Sequence, residues 1–170
     1  MARDNKNFKG KKEKPEFDQK LLDLARVTRV VKGGRRFRFR ATLVIGNRKS
    51  KVGVGVGKGA DVSDAIRKAF DDAKKNLVTI KMTKNTIAHD IYYKSRSAKI
   101  ILKPALEGNG IIAGGAIRTV VEFAGIKDVV SKSLGASNKL SVARATVEAL
   151  STLNQARSRK ERIGAGKDAS

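Results

Sequence analysis

Cysteine is absent from the 170 residues, and histidine occurs once, as His89. A disulfide framework, a thiol nucleophile, a Cys-based zinc site and a two-histidine metal cluster are thereby excluded, and a reducing cytosol is the expected setting. No apolar run approaches the ~20 residues that span a bilayer, so no membrane partner is expected. The opening residues, MARDNKNFKGKKEKPEFD, lack the apolar stretch of a signal peptide, and their interleaved acids argue against a transit peptide. The expectation is a soluble, unprocessed chain. Aromatics are scarce, with six Phe, two Tyr and no Trp, so base stacking can carry little of any nucleic-acid binding. Acids are scarce too: 16 Asp and Glu face 38 Lys and Arg, for a net charge of +22. The natural partner of such a chain is a polyanion.

What remains is globular in character. Apolar residues make up 40% and glycine adds 16 residues, enough for one ordinary domain or two small ones sharing a modest core. The charge is unevenly placed: residues 1–20 carry +3, residues 21–84 carry +12, residues 85–155 carry +4 and residues 156–170 carry +3. The polyanion contact is therefore expected in the second segment. Both ends are polar, with too few large apolar residues to offset the entropy of ordering, and read as flexible basic tails. No internal repeat or low-complexity tract is present.

In residues 21–84, Arg26–Val31 reads as a strand and Lys32, Gly33, Gly34 and Arg35 as a hairpin turn. A second strand alternates with period two, placing Phe37, Phe39, Ala41, Leu43 and Ile45 inward and Arg36, Arg38 and Arg40 outward. The three arginines stand ~7 Å apart, close to a phosphate repeat. With Arg26, Arg29, Lys51 and Lys58 they make up the expected polyanion contact. After Gly46-Asn47, valines 52, 54 and 56 alternate with glycines 53, 55 and 57. Bare backbone on one face lets something large approach, either a phosphate backbone or another segment of the chain. A helix follows, capped by Asp61 or Ser63, with Val62, Ile66, Ala69, Phe70, Ala73 and Leu77 on its apolar stripe. Its opposite face is mixed in sign and reads as solvated. Three strands with a helix on one face make a two-layer α+β module.

In residues 85–155, Ile91–Tyr93 and Ala98–Leu102 read as strands, ended by Pro104. Glycines 108, 110, 114 and 115 lead into a helix carrying Ile117, Val120, Val121 and Phe123. Such a lead-in can hold an anion on free N–H groups, but a tight crossing with close backbone packing is the preferred reading. Ile126–Val130 is a short strand, and Asn138 caps a last helix with Leu140, Ala143, Val147, Leu150 and Leu153 inward. At +4, this unit looks built for protein contacts.

No catalytic constellation emerges. VGVGVGKGAD invites comparison with a nucleotide-binding loop, but Walker A would need glycine at Val52 and a hydroxyl at Gly59. The looser dinucleotide pattern has its glycines inside a strand and Ile80 where an acid is wanted. His89 lacks a base or acid partner at readable spacing, and the acids form no catalytic pair. Neither a cofactor, a metal nor a small-molecule substrate is expected, and the chain is not read as an enzyme.

Three stretches, RVTRVVKGGRRF (26–37), KVGVGVGKGADVSDAIRKA (51–69) and EGNGIIAGGAIRTVVEFAGI (107–126), resemble the signatures of bacterial small-subunit ribosomal protein five, and VARATVEAL (142–150) resembles its closing helix. The resemblance implies an α+β protein of two small domains. The first would be similar to the double-stranded-RNA-binding fold without its first helix; the second, nearly independent, would carry an uncommon left-handed βαβ crossover. It implies a structural role in the cytoplasm, within the small ribosomal subunit. There the chain would bind small-subunit rRNA near where mRNA enters, contact small-subunit proteins four and eight, brace the head against the body and influence accuracy. Carried over, Lys32, Gly33, Gly34 and Arg35 match the loop that reaches rRNA, while Gly110 and Arg118 match the stretch associated with protein four. The residues alone also fit a free RNA- or DNA-binding chaperone, which would strip from ribosomal particles in moderate salt.

Overall fold

The computed structural model describes residues 16–153. The tail readings for 1–15 and 156–170 fall outside them. A first sheet has the order β1-β2-β3-β4, all neighbours antiparallel: β1 (Asp18–Val31), β2 (Gly34–Gly46), β3 (Lys51–Gly59) and β4 (Leu77–Thr79). Helix α1 (Val62–Lys75) links β3 to β4. A second sheet has the order β5-β6-β8-β7, from β5 (Ile91–Ser95), β6 (Ala98–Pro104), β7 (Ile111–Ile112) and β8 (Val129–Ser133). Helix α2 (Gly115–Ala124) joins the parallel pair β7 and β8, and α3 (Lys139–Thr152) closes the fold.

Strand β1 starts at Asp18, inside the segment read as tail, and eight residues before the expected Arg26. Its extra length pairs along all of β2, with a bulge between Leu21 and Asp23 that turns Leu22 onto the core. The helix-stripe reading ran past the end of α1: Asn76 caps it, and Leu77 opens edge strand β4 instead. Asp61 is the N-cap residue of α1, through its backbone and without a side-chain cap bond. The expected cap of α3 is present, Asn138 Oδ1 accepting from Leu140 N at 3.1 Å.

The glycine strand β3 decides how α1 sits. A Cβ added at Gly53, Gly55 or Gly57 would run into the α1 backbone at Ala73, at Ala69 and Ala73, or at Ala65 and Ala69. Small residues on both surfaces thus let helix and sheet approach closely, and α1 seats on Ala65, Ala69 and Ala73 while Ile66 and Phe70 stay half-buried. Of the two readings of the bare face, the intrachain segment is the right one; no phosphate backbone can enter there. Asp72 adds a tether, its Oδ2 accepting from Val56 N at 2.9 Å. On the helix's outer side Lys68, with Arg67, holds the Asp64 carboxyl below its usual range.

The other face of this sheet is buried as well. Val44, Val52 and Val54 share one continuous core with α2, α3 and the inner face of the second sheet (Ile100, Leu102, Val129). Hence β2 is not a half-buried strand over its second half: every residue from Ala41 to Gly46 is buried. The layers run α1, first sheet, α2 with α3, second sheet. Because one core crosses both halves, the second is not the nearly independent unit expected with the resemblance. Its joint is reinforced at the β2–β3 turn, where Arg48 N donates to Phe123 O at 3.0 Å. Gly46 lies against the Phe123 backbone and Gly125 against that of Arg48, with no room at either for a Cβ. Ion pairs Lys139–Asp23 (3.0 Å) and Lys20–Glu122 (3.8 Å) tie α3 and α2 to β1.

The glycine lead-in to α2 does not make the tight crossing expected of it. A Cβ at Gly108, Gly110, Gly114 or Gly115 would meet nothing within 4 Å. Gly108 (φ 95°) and Gly110 (φ 69°) are required by backbone conformation instead. Both donate their N–H to Asp128 Oδ1, at 3.1 and 2.9 Å, so this buried acid organises the loop. It lies in the stretch read as strand from Ile126; β8 begins only at Val129.

Candidate nucleic-acid interface

The β2–β3 ladder ends where Phe39 faces Gly59, but β1 and β2 go on pairing to Val31 and Gly34. The far end of β2, five residues long, therefore extends roughly 17 Å beyond the third strand as a two-stranded ribbon. Lys32 and Gly33 turn it, and Gly34 takes φ 146°, a conformation L side chains avoid. Residues 27–38 contain five cations and no acid. All five, Arg29, Lys32, Arg35, Arg36 and Arg38, are exposed.

Cross-strand register puts Arg29 opposite Arg36 and Val27 opposite Arg38, on one face. Lys58, opposite Arg40 on β3, joins that face at the ribbon's root. Arg29, Arg36, Arg38 and Lys58 line a groove of about 500 Å³ together with Val27 and Val31. Like charges set directly across an antiparallel pair repel. Among the described residues no carboxylate pairs with these side chains, so the repulsion is relieved only by an anion from outside.

Not every expected residue belongs to this cluster. Arg40 is half-buried, its Nε enclosed without a hydrogen-bond partner, so it acts at the seam with the core. Lys51 starts β3 at the other end of the sheet, roughly 23 Å from Lys58 along the strand. Arg26 lies on the opposite face of the ribbon, its guanidinium 3.6 Å from the centroid of the Phe37 ring. That ring corrects the expectation of a core phenylalanine: Phe37 is 45% exposed, because β3 and α1 both stop short of it. Of the two, Phe39 packs on the α1 core. The Arg26–Phe37 pair escaped sequence reasoning, which carried the period-two inward assignment past the end of β3.

Gly110 lies just before β7, fixed by Asp128, and Arg118 is exposed near the start of α2. Arg118 borders the cavities on both sides of the helix, one shared with Lys20 and Lys139, the other with Arg48 and Lys127. His89 is exposed just before β5.

An α+β scaffold with one core shared by its two sheets, and an acid-free run of exposed cations on a projecting ribbon, defines a class: basic proteins that hold a polyanion by shape and charge. Comparison with known proteins gives the family. Residues 17–81 match the family described as ribosomal protein S5, N-terminal domain, and residues 93–162 match ribosomal protein S5, C-terminal domain. The chain is 57% identical over 138 residues to the small ribosomal subunit protein uS5 of Campylobacter jejuni subsp. jejuni serotype O:23/36 (strain 81-176), covering 81% of this chain and 94% of that relative. The same figures hold for the protein of that name from Campylobacter jejuni (strain RM1221). The chain belongs to the ribosomal protein S5 family: a ribosomal protein of the small subunit, which works in the cytoplasm as a structural component and not as an enzyme.

Proposed function

We propose that this chain binds small-subunit rRNA through the β1–β2 ribbon while residues 85–155 dock on neighbouring ribosomal proteins, those numbered four and eight. The division of labour follows the sheets, residues 21–84 serving RNA and residues 85–155 protein. The observation that carries the reading is the ribbon itself, five exposed cations without an acid on a two-stranded projection. An isolated two-stranded ribbon is marginal in water, so contact with RNA also steadies it. Arg26, Arg29, Lys32, Gly33, Gly34, Arg35, Arg36, Arg38 and Lys58 form or flank this surface, and Arg40 and Lys51 contribute from its root and from the far end of the sheet. If about six phosphates are neutralised, these residues contribute a log–log salt slope of roughly −4 to −5 to rRNA affinity. Filter binding of the full chain to small-subunit rRNA across a salt series tests this; a slope near −1 would refute it.

The same reading places the protein where head meets body, close to where mRNA enters, as a brace that affects decoding accuracy. Support comes from the shared core: with β2 and α2 locked at Gly46, Arg48 and Gly125, force on the ribbon reaches the α2 surface without a flexible joint. Gly110 and Arg118 are the proposed contacts to protein four. Arg118→Leu is expected to change misreading frequency by several-fold while rRNA affinity stays within about twofold, as one exposed charge off the ribbon should. An unaltered error rate in a reporter assay counts against the brace.

A further inference from the structure

The net charge of +4 on residues 85–155 conceals a segregation that only the strand register reveals. In the second sheet, Ile91, Ile100, Leu102 and Val129 face the helices. The opposite face is uncovered among the described residues. Across it, Tyr92, Ile101 and Lys132 form one row of cross-strand neighbours, and Lys103, Val130 and Ile112 form the next. Lys94 stands directly opposite Lys99. Every charged side chain on this face is thus a lysine. One acid approaches, Asp90 just before β5, 3.7 Å from Lys103 in an exposed pair. No carboxylate among the described residues pairs with Lys94, Lys99 or Lys132. The remaining acids of the unit lie elsewhere: Asp128 is buried under the 108–110 loop, Glu122 and Glu148 stand on α2 and α3, and Glu107 lies in the loop after β6.

We infer that this open sheet face is a second RNA-binding surface, separate from the ribbon, which takes a phosphodiester backbone on its lysines and an unpaired base on Tyr92. Like charges placed directly opposite destabilise a sheet, and Lys94 facing Lys99 has no acid of its own to relieve it. A polyanion relieves it. Neighbouring strands set the lysines ~5 to 10 Å apart, within reach of successive phosphates. Tyr92 is 62% exposed in the middle of the lysines, where its ring offers a stacking platform to any base. A protein partner of ordinary mixed charge would have to leave these ammonium groups unpaired or supply a matching acid for each. The apolar residues of the face, Ile101, Val130 and Ile112, suit sugar and base contacts beside the phosphates. This surface lies in the half that the preceding reading reserves for protein contacts, and it does not depend on the ribbon.

The test uses the full chain and transcribed small-subunit rRNA. The variant Lys94→Gln, Lys99→Gln, Lys132→Gln should lose affinity on the order of 100-fold at 0.15 M salt, with the log–log slope flattened by about 2 to 3. Its thermal unfolding should be unchanged or slightly raised, since a repulsive pair is removed. A matched triple on α1, Arg67→Gln, Lys74→Gln, Lys75→Gln, should leave the slope alone. Equal losses in the two triples would mean diffuse attraction and overturn the proposal, as would an unchanged slope in the sheet variant. A photo-crosslinking residue at position 92, in reconstituted subunits, should attach to RNA; attachment to protein overturns it too. Neutralising Arg36 and Arg38 in parallel reads the ribbon separately, so either surface can fail while the other stands.

Discussion

Replacing Arg29, Lys32, Arg36 and Arg38 together by glutamine lowers affinity for small-subunit rRNA by on the order of 1,000-fold at 0.15 M salt and flattens the log–log slope by about 3 to 4. The size of the effect follows from counterion release, each neutralised phosphate contributing a slope of about 0.7 to 0.9. Folding should be spared. All four side chains are exposed, and none takes part in an ion pair among the described residues. Removing the Arg29–Arg36 apposition even relieves a repulsion within the ribbon. Filter binding or fluorescence anisotropy over a salt series measures slope and affinity, and a thermal melt checks the fold. A quadruple variant that keeps both the parental slope and the parental affinity means that the ribbon does not carry the RNA contact.

The second large effect is on stability. Gly55→Val is expected to destabilise the protein by about 3 kcal/mol or more, lowering the melting temperature by roughly 6 to 12 °C. The new Cβ would meet the Ala69 carbonyl and the Ala73 backbone, and backbone atoms inside a helix cannot swing aside as a side-chain tip does. The helix has to lift from the sheet, which exposes Leu43 and Ile45 and breaks the bond from Val56 N to Asp72. Against a total stability of ~5 to 15 kcal/mol, that loss is large. Gly33→Ala serves as the contrast: nothing lies within 4 Å of its added Cβ, and the expected change stays within about 0.5 kcal/mol. Urea or thermal unfolding decides. If Gly55→Val melts with the parent, the close seat of α1 is not what holds this layer together.

Much of the architecture is legible because local chemistry points one way. The Lys32-Gly33 turn, the period-two run from Phe37, the helix after Asp61 and the Asn138 cap each have a local cause, and each forms where that cause lies. The cationic cluster is legible for the same reason, since charge density along a chain survives folding. Other elements depend on distant partners. The early start of β1 at Asp18 needs β2 beside it, because DQKLL has no strand signature of its own. Leu77 fits a helical stripe as well as a strand, and only the free edge of β3 makes it β4. The role of Asp128 arises from the N–H groups of Gly110 and Gly108, 18 and 20 residues away, with no local pattern to announce it.

By itself the sequence determined the chemical class of the protein: without cysteine, with one histidine and with a large excess of cations, it was restricted to gripping a polyanion by charge, and its three motif stretches resembled one ribosomal family. The tertiary structure decided what periodicity cannot encode. Alternation tells which residues share a face, but not what covers that face, since the covering segment comes from elsewhere in the chain. So Phe37 and Leu43, alike in pattern, part company where β3 ends; the glycines of β3 receive a helix and not a phosphate; and lysines diluted among acids in the sequence gather on one open sheet.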